Sequence, residues 1–116
     1  MEINGSTILV TGASGGLGAA MCRELARLGA HLVVTARREA LLADLASDTG
    51  AEVLVADLTD RDDVVRVADR AATCDVLVAN AGVGNDPSLD HLSDDSIDFS
   101  IDVNLRAPIV LSTRFA

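Results

Sequence analysis

The chain has 116 residues, a length that suits one domain. It is 49% hydrophobic with two Phe as its only aromatic residues, so it can bury a core of modest size. Nine Lys and Arg against 18 Asp and Glu give a formal net charge of −9, which excludes the basic stripe that a nucleic-acid binder presents.

The N-terminal Met1-Glu2-Ile3-Asn4-Gly5 has no cationic segment ahead of a long apolar one, so no targeting peptide is expected. Thr7–Val10 is predicted as the first strand. Leu17, Ala20, Met21, Leu25 and Leu28 recur at helical spacing, and Gly29 ends that helix. His31–Thr35 is the second strand, with His31 in a structural role at its start. Leu41, Leu42, Leu45 and Ala46 mark a second helix, closed by Gly50, and Glu52–Val55 is the third strand. Thr59 and Asp62 read as a capping box for a third helix whose buried face is Val64, Val67, Ala68 and Ala71. Asp75–Ala79 is the fourth strand. Residues 81–92 form a loop rich in Gly, Asn, Asp and Pro, in which His91 reads as a surface residue. From Ser93 helical spacing resumes through Ile97, Ile101, Leu105, Ile109 and Val110, and Pro108 should kink the helix or start a new one. Asp94, Asp95, Asp98 and Asp102 read as a solvated acidic face rather than a metal site. The apolar runs are strand-sized, so no membrane span is expected. Cys22 and Cys74 lack metal-ligand spacing and read as reduced thiols, which points to a cytoplasmic location.

The resulting order, β-α-β-α-β-α-β with near-continuous apolar strands, predicts an α/β fold. Its form is a Rossmann-like, doubly wound parallel sheet in three layers, with strand order 3-2-1-4. Thr11-Gly12-Ala13-Ser14-Gly15-Gly16-Leu17-Gly18 follows a strand and opens a helix, the context of a dinucleotide fingerprint. Glycines there permit a tight turn and a close approach by a pyrophosphate, which the helix N–H groups and dipole attract. Ser14 adds a hydroxyl donor. The predicted ligand is a dinucleotide.

Thr11-Gly12-x-x-x-Gly16-x-Gly18 resembles the glycine pattern of the short-chain dehydrogenase/reductase family. Asp57-Leu58 after the third strand, Asn80-Ala81-Gly82 at the end of the fourth, and Asn104 in Val103-Asn104-Leu105 match that family in order and at the usual spacing. The resemblance implies an oxidoreductase moving a hydride between a nicotinamide cofactor and a small alcohol or carbonyl substrate. It implies Asp57 against the adenine, and Asn104 as the Asn of the catalytic tetrad, holding a water in a proton relay. Read without the family, Asp57 suits an adenine amino group, with a helix N-terminal acid as the alternative. Asn80 and Gly82 suit a ligand or a plain strand-ending turn, and Asn104 is an ordinary polar helix residue.

The end of the second strand reads Ala36-Arg37-Arg38. An acid at position 36 would favour NAD through the ribose hydroxyls. Ala36 with Arg37 or Arg38 favours NADP, whose 2′-phosphate an arginine pairs with. The same pair would also serve as a solvated helix start, and Ser14-Gly15 lacks the extra basic residue that many NADP-preferring relatives carry, so NAD stays the alternative cofactor. The family's hydride chemistry also uses a Ser and a Tyr-x-x-x-Lys motif, and this chain contains no Tyr. The sequence ends inside the helix that carries Asn104. Residues 1–116 are therefore expected to be the NAD(P)-binding, N-terminal part of such a fold, binding cofactor without turnover. A non-catalytic nucleotide-binding or sensor domain, or a partial product stable only in an assembly, remain open. The apolar fourth strand at the sheet edge, and Ile109, Val110, Leu111 and Phe115 on a final helix with little sheet to pack on, predict a homo-oligomer or completion by a longer chain.

Overall fold

The computed structural model describes residues 1–83 and 92–116. Most of the loop expected over 81–92, including His91, lies outside the described residues. Four strands, β1 (Thr7–Thr11), β2 (His31–Ala36), β3 (Glu52–Val55) and β4 (Val76–Val78), form one parallel sheet in the order β3-β2-β1-β4. β1 is central because Leu9 and Val10 are fully buried and suit a strand covered on both faces. The pleat divides the sheet cleanly. Leu9, Val33, Leu54 and Leu77 face α3 (Arg61–Ala71) and α5 (Ala107–Phe115), while Ile8, Val10, Leu32 and Val34 face α1 (Gly16–Arg27) and α2 (Ala43–Thr49). Three layers result, and every βα junction opens at one end of the sheet.

Several local expectations are corrected. In α1 the buried positions are Gly18 and Cys22, with Leu25 and Ala26 beside them, whereas Leu17 is 70% exposed. The helix turns its small residues to the sheet so that it can approach closely, and Leu17 is left at the rim of the strand ends. Gly29 closes this helix with φ +92°, as expected of a left-handed stop. The second helix starts as a 3-10 turn, Glu39–Leu42, before α2, which carries Leu42 and Leu45 inward but leaves Leu41 outside. The cap of α3 is Asp60, not Thr59: its carboxylate accepts from the Asp62 and Asp63 N–H groups. Thr59 is held elsewhere, donating both its N–H and its hydroxyl to Asp57 Oδ1.

The C-terminal helix differs most. α4 (Asp94–Ile101) runs into a π turn, Asp102–Arg106, and on into α5. Pro108 follows the π turn, where its missing N–H and its ring would disturb an α-helical ladder. The residues turned inward are Val103, Ala107 and Leu111, while Ile97, Ile101, Leu105 and Ile109 are exposed. Leu111 is 1% exposed, and Val110 and Phe115 pack beside it on the α3 layer. The final helix thus has more to pack on than expected.

Candidate functional site

A cavity of about 400 Å³ opens at the C-terminal ends of the strands. Its walls come from the β1–α1 loop (Gly12, Ser14 to Gly18), the end of β2 (Thr35 to Arg37), the β3 exit (Ala56 to Leu58) and the β4 exit (Asn80 to Val83). Leu41 and, from the long helix, Phe99 and Val103 complete it. This is the carboxyl edge of an open α/β sheet, at the switch between strands that wind in opposite directions.

The glycines divide into two kinds. Gly12 has φ +67°, and a Cβ there would meet the Ala81 backbone at 2.7 Å. A Cβ on Gly18 would collide with the Gly12 carbonyl oxygen and lie 2.9 Å from Asn80 Nδ2. These two glycines let β1, α1 and the β4 exit touch. At Gly16, by contrast, a Cβ would meet nothing within 4 Å, although the residue lines the cavity. No side chain caps the start of α1, and its first turn holds no acid, so free N–H groups and a positive dipole end stand at the cavity wall.

Thr11 fixes the junction. Its buried hydroxyl accepts from the N–H groups of Asn80 and Ala81, each at 3.0 Å. The Asn80 amide donates back to the Gly12 carbonyl at 3.3 Å. Thr35, opposite Thr11 in register, is equally buried, yet its hydroxyl has no hydrogen-bond partner among the described residues. On the β3 side, Asp57 Oδ1 is taken by Thr59, and the Asp57 N–H donates to Asp63 Oδ2 at 2.9 Å. That bond and the Arg66 guanidinium hold the Asp63 carboxyl below its ordinary range.

Eleven of the anticipated site residues line this one cavity: Gly12, Ser14, Gly16, Leu17, Gly18, Arg37, Asp57, Leu58, Asn80, Ala81 and Gly82. Arg38 does not. It is the extended residue that starts the 3-10 turn, and of the two arginines Arg37 alone lines the cavity. Asn104 also lies outside the lining. Its side chain clasps Val83, donating to the carbonyl and accepting from the N–H, both at 2.8 Å, and its Oδ1 stands 3.3 Å from where a Cβ on Gly82 would be. Thr35, Leu41, Phe99 and Val103 are cavity residues that the sequence did not reveal, because apolar periodicity assigns such positions to the core. Burial pushes the Cys22 thiol up to about 11, which suits an inert core cysteine, and both cysteines are free.

The sequence pattern of the short chain dehydrogenase family matches residues 6–116. The 3-oxoacyl-acyl-carrier-protein reductase of Rickettsia conorii is 33% identical over 97% of this chain and 47% of its own length. A cyclic-di-GMP-binding biofilm dispersal mediator protein of Escherichia coli is 36% identical over 97% and 48%. Among solved structures, a short-chain dehydrogenase from Sphingobium yanoikuyae in complex with NADPH superposes with a TM-score of 0.85 at 33% identity, over 96% of this chain and 47% of that one. A metagenomic short-chain oxidoreductase in complex with NADP gives 0.89 at 38%, over 97% and 55%. The chain spans about half the length of the curated relatives it matches. Sheet order, cavity and family match agree, and the chain belongs to the short chain dehydrogenase family.

Proposed function

We propose that this chain is the cofactor-holding domain of an oxidoreductase that interconverts a small alcohol and its carbonyl, and that its cofactor is NADP rather than NAD. The observation carrying the choice is Arg37. It lines the cavity at the end of β2, next to an Ala36 that has no carboxylate to offer, and it forms no ion pair among the described residues. A guanidinium free of intramolecular partners suits a 2′-phosphate. The NADPH and NADP complexes of two structural neighbours support the same reading for those proteins.

The residues present fit such a cofactor. Gly16 is the glycine whose missing side chain leaves open space, at the uncapped helix start where a pyrophosphate would accept N–H bonds. Leu17 and Leu41 offer exposed apolar surface at the rim. Asp57 keeps Oδ2 for an adenine amino group while Thr59 fixes Oδ1. The nicotinamide ring, when bound, would donate or accept the hydride. Asn104 acts from its helix: its side chain is committed to Val83 at the β4 exit, which is the side of the cavity where a water of a proton relay would be held. With no Tyr in the sequence to act as the family's acid/base, these residues alone are proposed to bind cofactor without turning it over.

Titration with NADPH and NADH, followed by fluorescence or calorimetry, tests the reading. NADPH should bind more tightly, and Arg37→Ala should remove about tenfold of that preference, the size of one lost charge-assisted contact. Arg38→Ala should leave it intact. Equal affinities in the parent protein would defeat the assignment to NADP.

A further inference from the structure

The Thr35 hydroxyl is the one buried side-chain polar atom among the described residues that has no hydrogen-bond partner. Thr35 is 2% exposed, sits one residue before the end of β2, and lines the cavity. A hydroxyl buried without a partner is costly, so native proteins supply one from the chain or from an ordered water. Threonine here also stands where its own strand uses valine. β2 reads Leu32-Val33-Val34-Thr35, and Val has nearly the same shape with no polar atom to satisfy.

Thr11 points to the missing partner. It lies opposite Thr35 in the β1–β2 register, so both side chains leave the face of the sheet that carries Leu9 and Val33. The Thr11 hydroxyl accepts from the Asn80 and Ala81 N–H groups, and its own proton has no acceptor among the described residues. A hydroxyl is donor and acceptor at once, so both threonines have bonding capacity left over at the same level of the sheet. They do not bond each other, as expected of neighbouring strands about 4.8 Å apart. One water closes such a gap, because two bonds of about 2.8 Å meeting at a tetrahedral angle span about 4.6 Å. Ala56 and Ala81, which line the same cavity from the β3 and β4 exits, carry only methyl groups and leave room for it. We propose that one ordered water is bound between the Thr11 and Thr35 hydroxyls at the cavity floor, and that through it Thr35 positions the cofactor site. The water accepts the Thr11 proton and bonds Thr35, and its remaining capacity faces the cavity. The bonds then run from Thr35 through the water to Thr11, and from Thr11 to the β4 exit. They tie the strand end that carries Arg37 to the start of the glycine loop. The water site stands whatever ligand fills the cavity, whereas its effect on cofactor affinity rests on the dinucleotide reading given above.

A high-resolution crystal structure of the parent protein, with thermal melts and NADPH titrations of Thr35→Val and Thr35→Ser, tests this. Electron density for a water should lie within hydrogen-bond distance of both hydroxyls. Thr35→Val keeps the shape and removes the bond, so its melting temperature should fall by about 3 °C or more. The sign decides: a hydroxyl with no partner at all would make Thr35→Val the more stable protein, because valine suits a buried strand better. A rise in melting temperature, or a crystal structure without water density between the two threonines, would overturn the proposal. NADPH should bind Thr35→Val about threefold to tenfold more weakly, and Thr35→Ser, which keeps the hydroxyl, should bind it like the parent. Equal NADPH affinity in all three would overturn the positioning role. A parent protein that binds no dinucleotide would defeat the reading of the cavity instead, and the density and the melts would still decide for or against the water.

Discussion

At the scale of single residues, the loop after β1 separates glycines that the protein's own packing requires from one, Gly16, that no protein contact requires. Gly18 lies against the Gly12 carbonyl and the Asn80 amide, so Gly18→Ala must displace backbone and should cost about 1–3 kcal/mol, the range of overpacked sites. Gly16 has open space where its Cβ would be and ordinary helical geometry. Gly16→Ala should therefore keep or raise the melting temperature, since Ala is the better helix former by up to about 1 kcal/mol. The same variant should weaken dinucleotide binding about tenfold or more, because the methyl group enters the space of the phosphates. Thermal melts and titrations on both variants check this, and unchanged affinity in Gly16→Ala would remove the first turn of α1 from the site. The glycine spacing was legible in the sequence, but this division was not. It depends on Ala81 and Asn80, some seventy residues away, which no local pattern reports.

At the scale of elements, the β3–α3 corner is where electrostatics and site geometry meet. Asp63, the third residue of α3, accepts from the Asp57 N–H and pairs with Arg66, and so it tethers the residue that lines the cavity. These bonds hold its carboxyl below the ordinary value of 3.8. A group depressed on folding stabilises the fold above its unfolded value, and that stability is lost as pH falls through the folded one. Asp63→Asn should remove part of the stability difference between neutral pH and pH below about 4, and should cost about 1 kcal/mol at neutral pH, the usual worth of such a bond. Denaturant melts at several pH values measure both quantities. An acid transition identical in variant and parent would show that Asp63 does not set it. The same corner shows what sequence reading reaches. A cap for α3 was expected and is present, and the buried face Val64, Val67, Ala68, Ala71 is as the spacing predicts. The capping residue itself shifted from Thr59 to Asp60, because Asp57 two residues earlier competes for the Thr59 hydroxyl. On the long helix the start at Ser93 and the new helix at Pro108 are as expected, but the inward stripe was not legible. The apolar residues of that helix keep a period of four on the exposed side, and the π turn before Pro108 hides which of two apolar stripes faces inward.

At the scale of the whole molecule, cofactor binding and stability are linked through the strand ends. A dinucleotide in the cavity would touch the β1–α1 loop and the exits of β2, β3 and β4 together. A ligand that binds only the folded state at a hundred times its dissociation constant adds about 2.7 kcal/mol. For a domain of this size that is a rise in melting temperature of about 10 °C or more. NADPH should produce this rise at lower concentration than NADH, and Arg37→Ala should bring the two curves together. No shift with either would mean that the cavity holds another ligand.

The Thr11 hydroxyl bears on the order in which the site comes into being. Its two donors, Asn80 and Ala81, are separated from it by 69 and 70 positions, and the Asn80–Gly12 bond by 68. The phosphate loop is written within a few residues of sequence, yet its final shape waits for β4 to arrive beside β1. During synthesis, a ribosome that has released only the first three strands would therefore expose the complete glycine signature without a finished site. Cofactor competence would appear late and abruptly, when the fourth strand emerges and closes the loop, rather than growing with each βα unit.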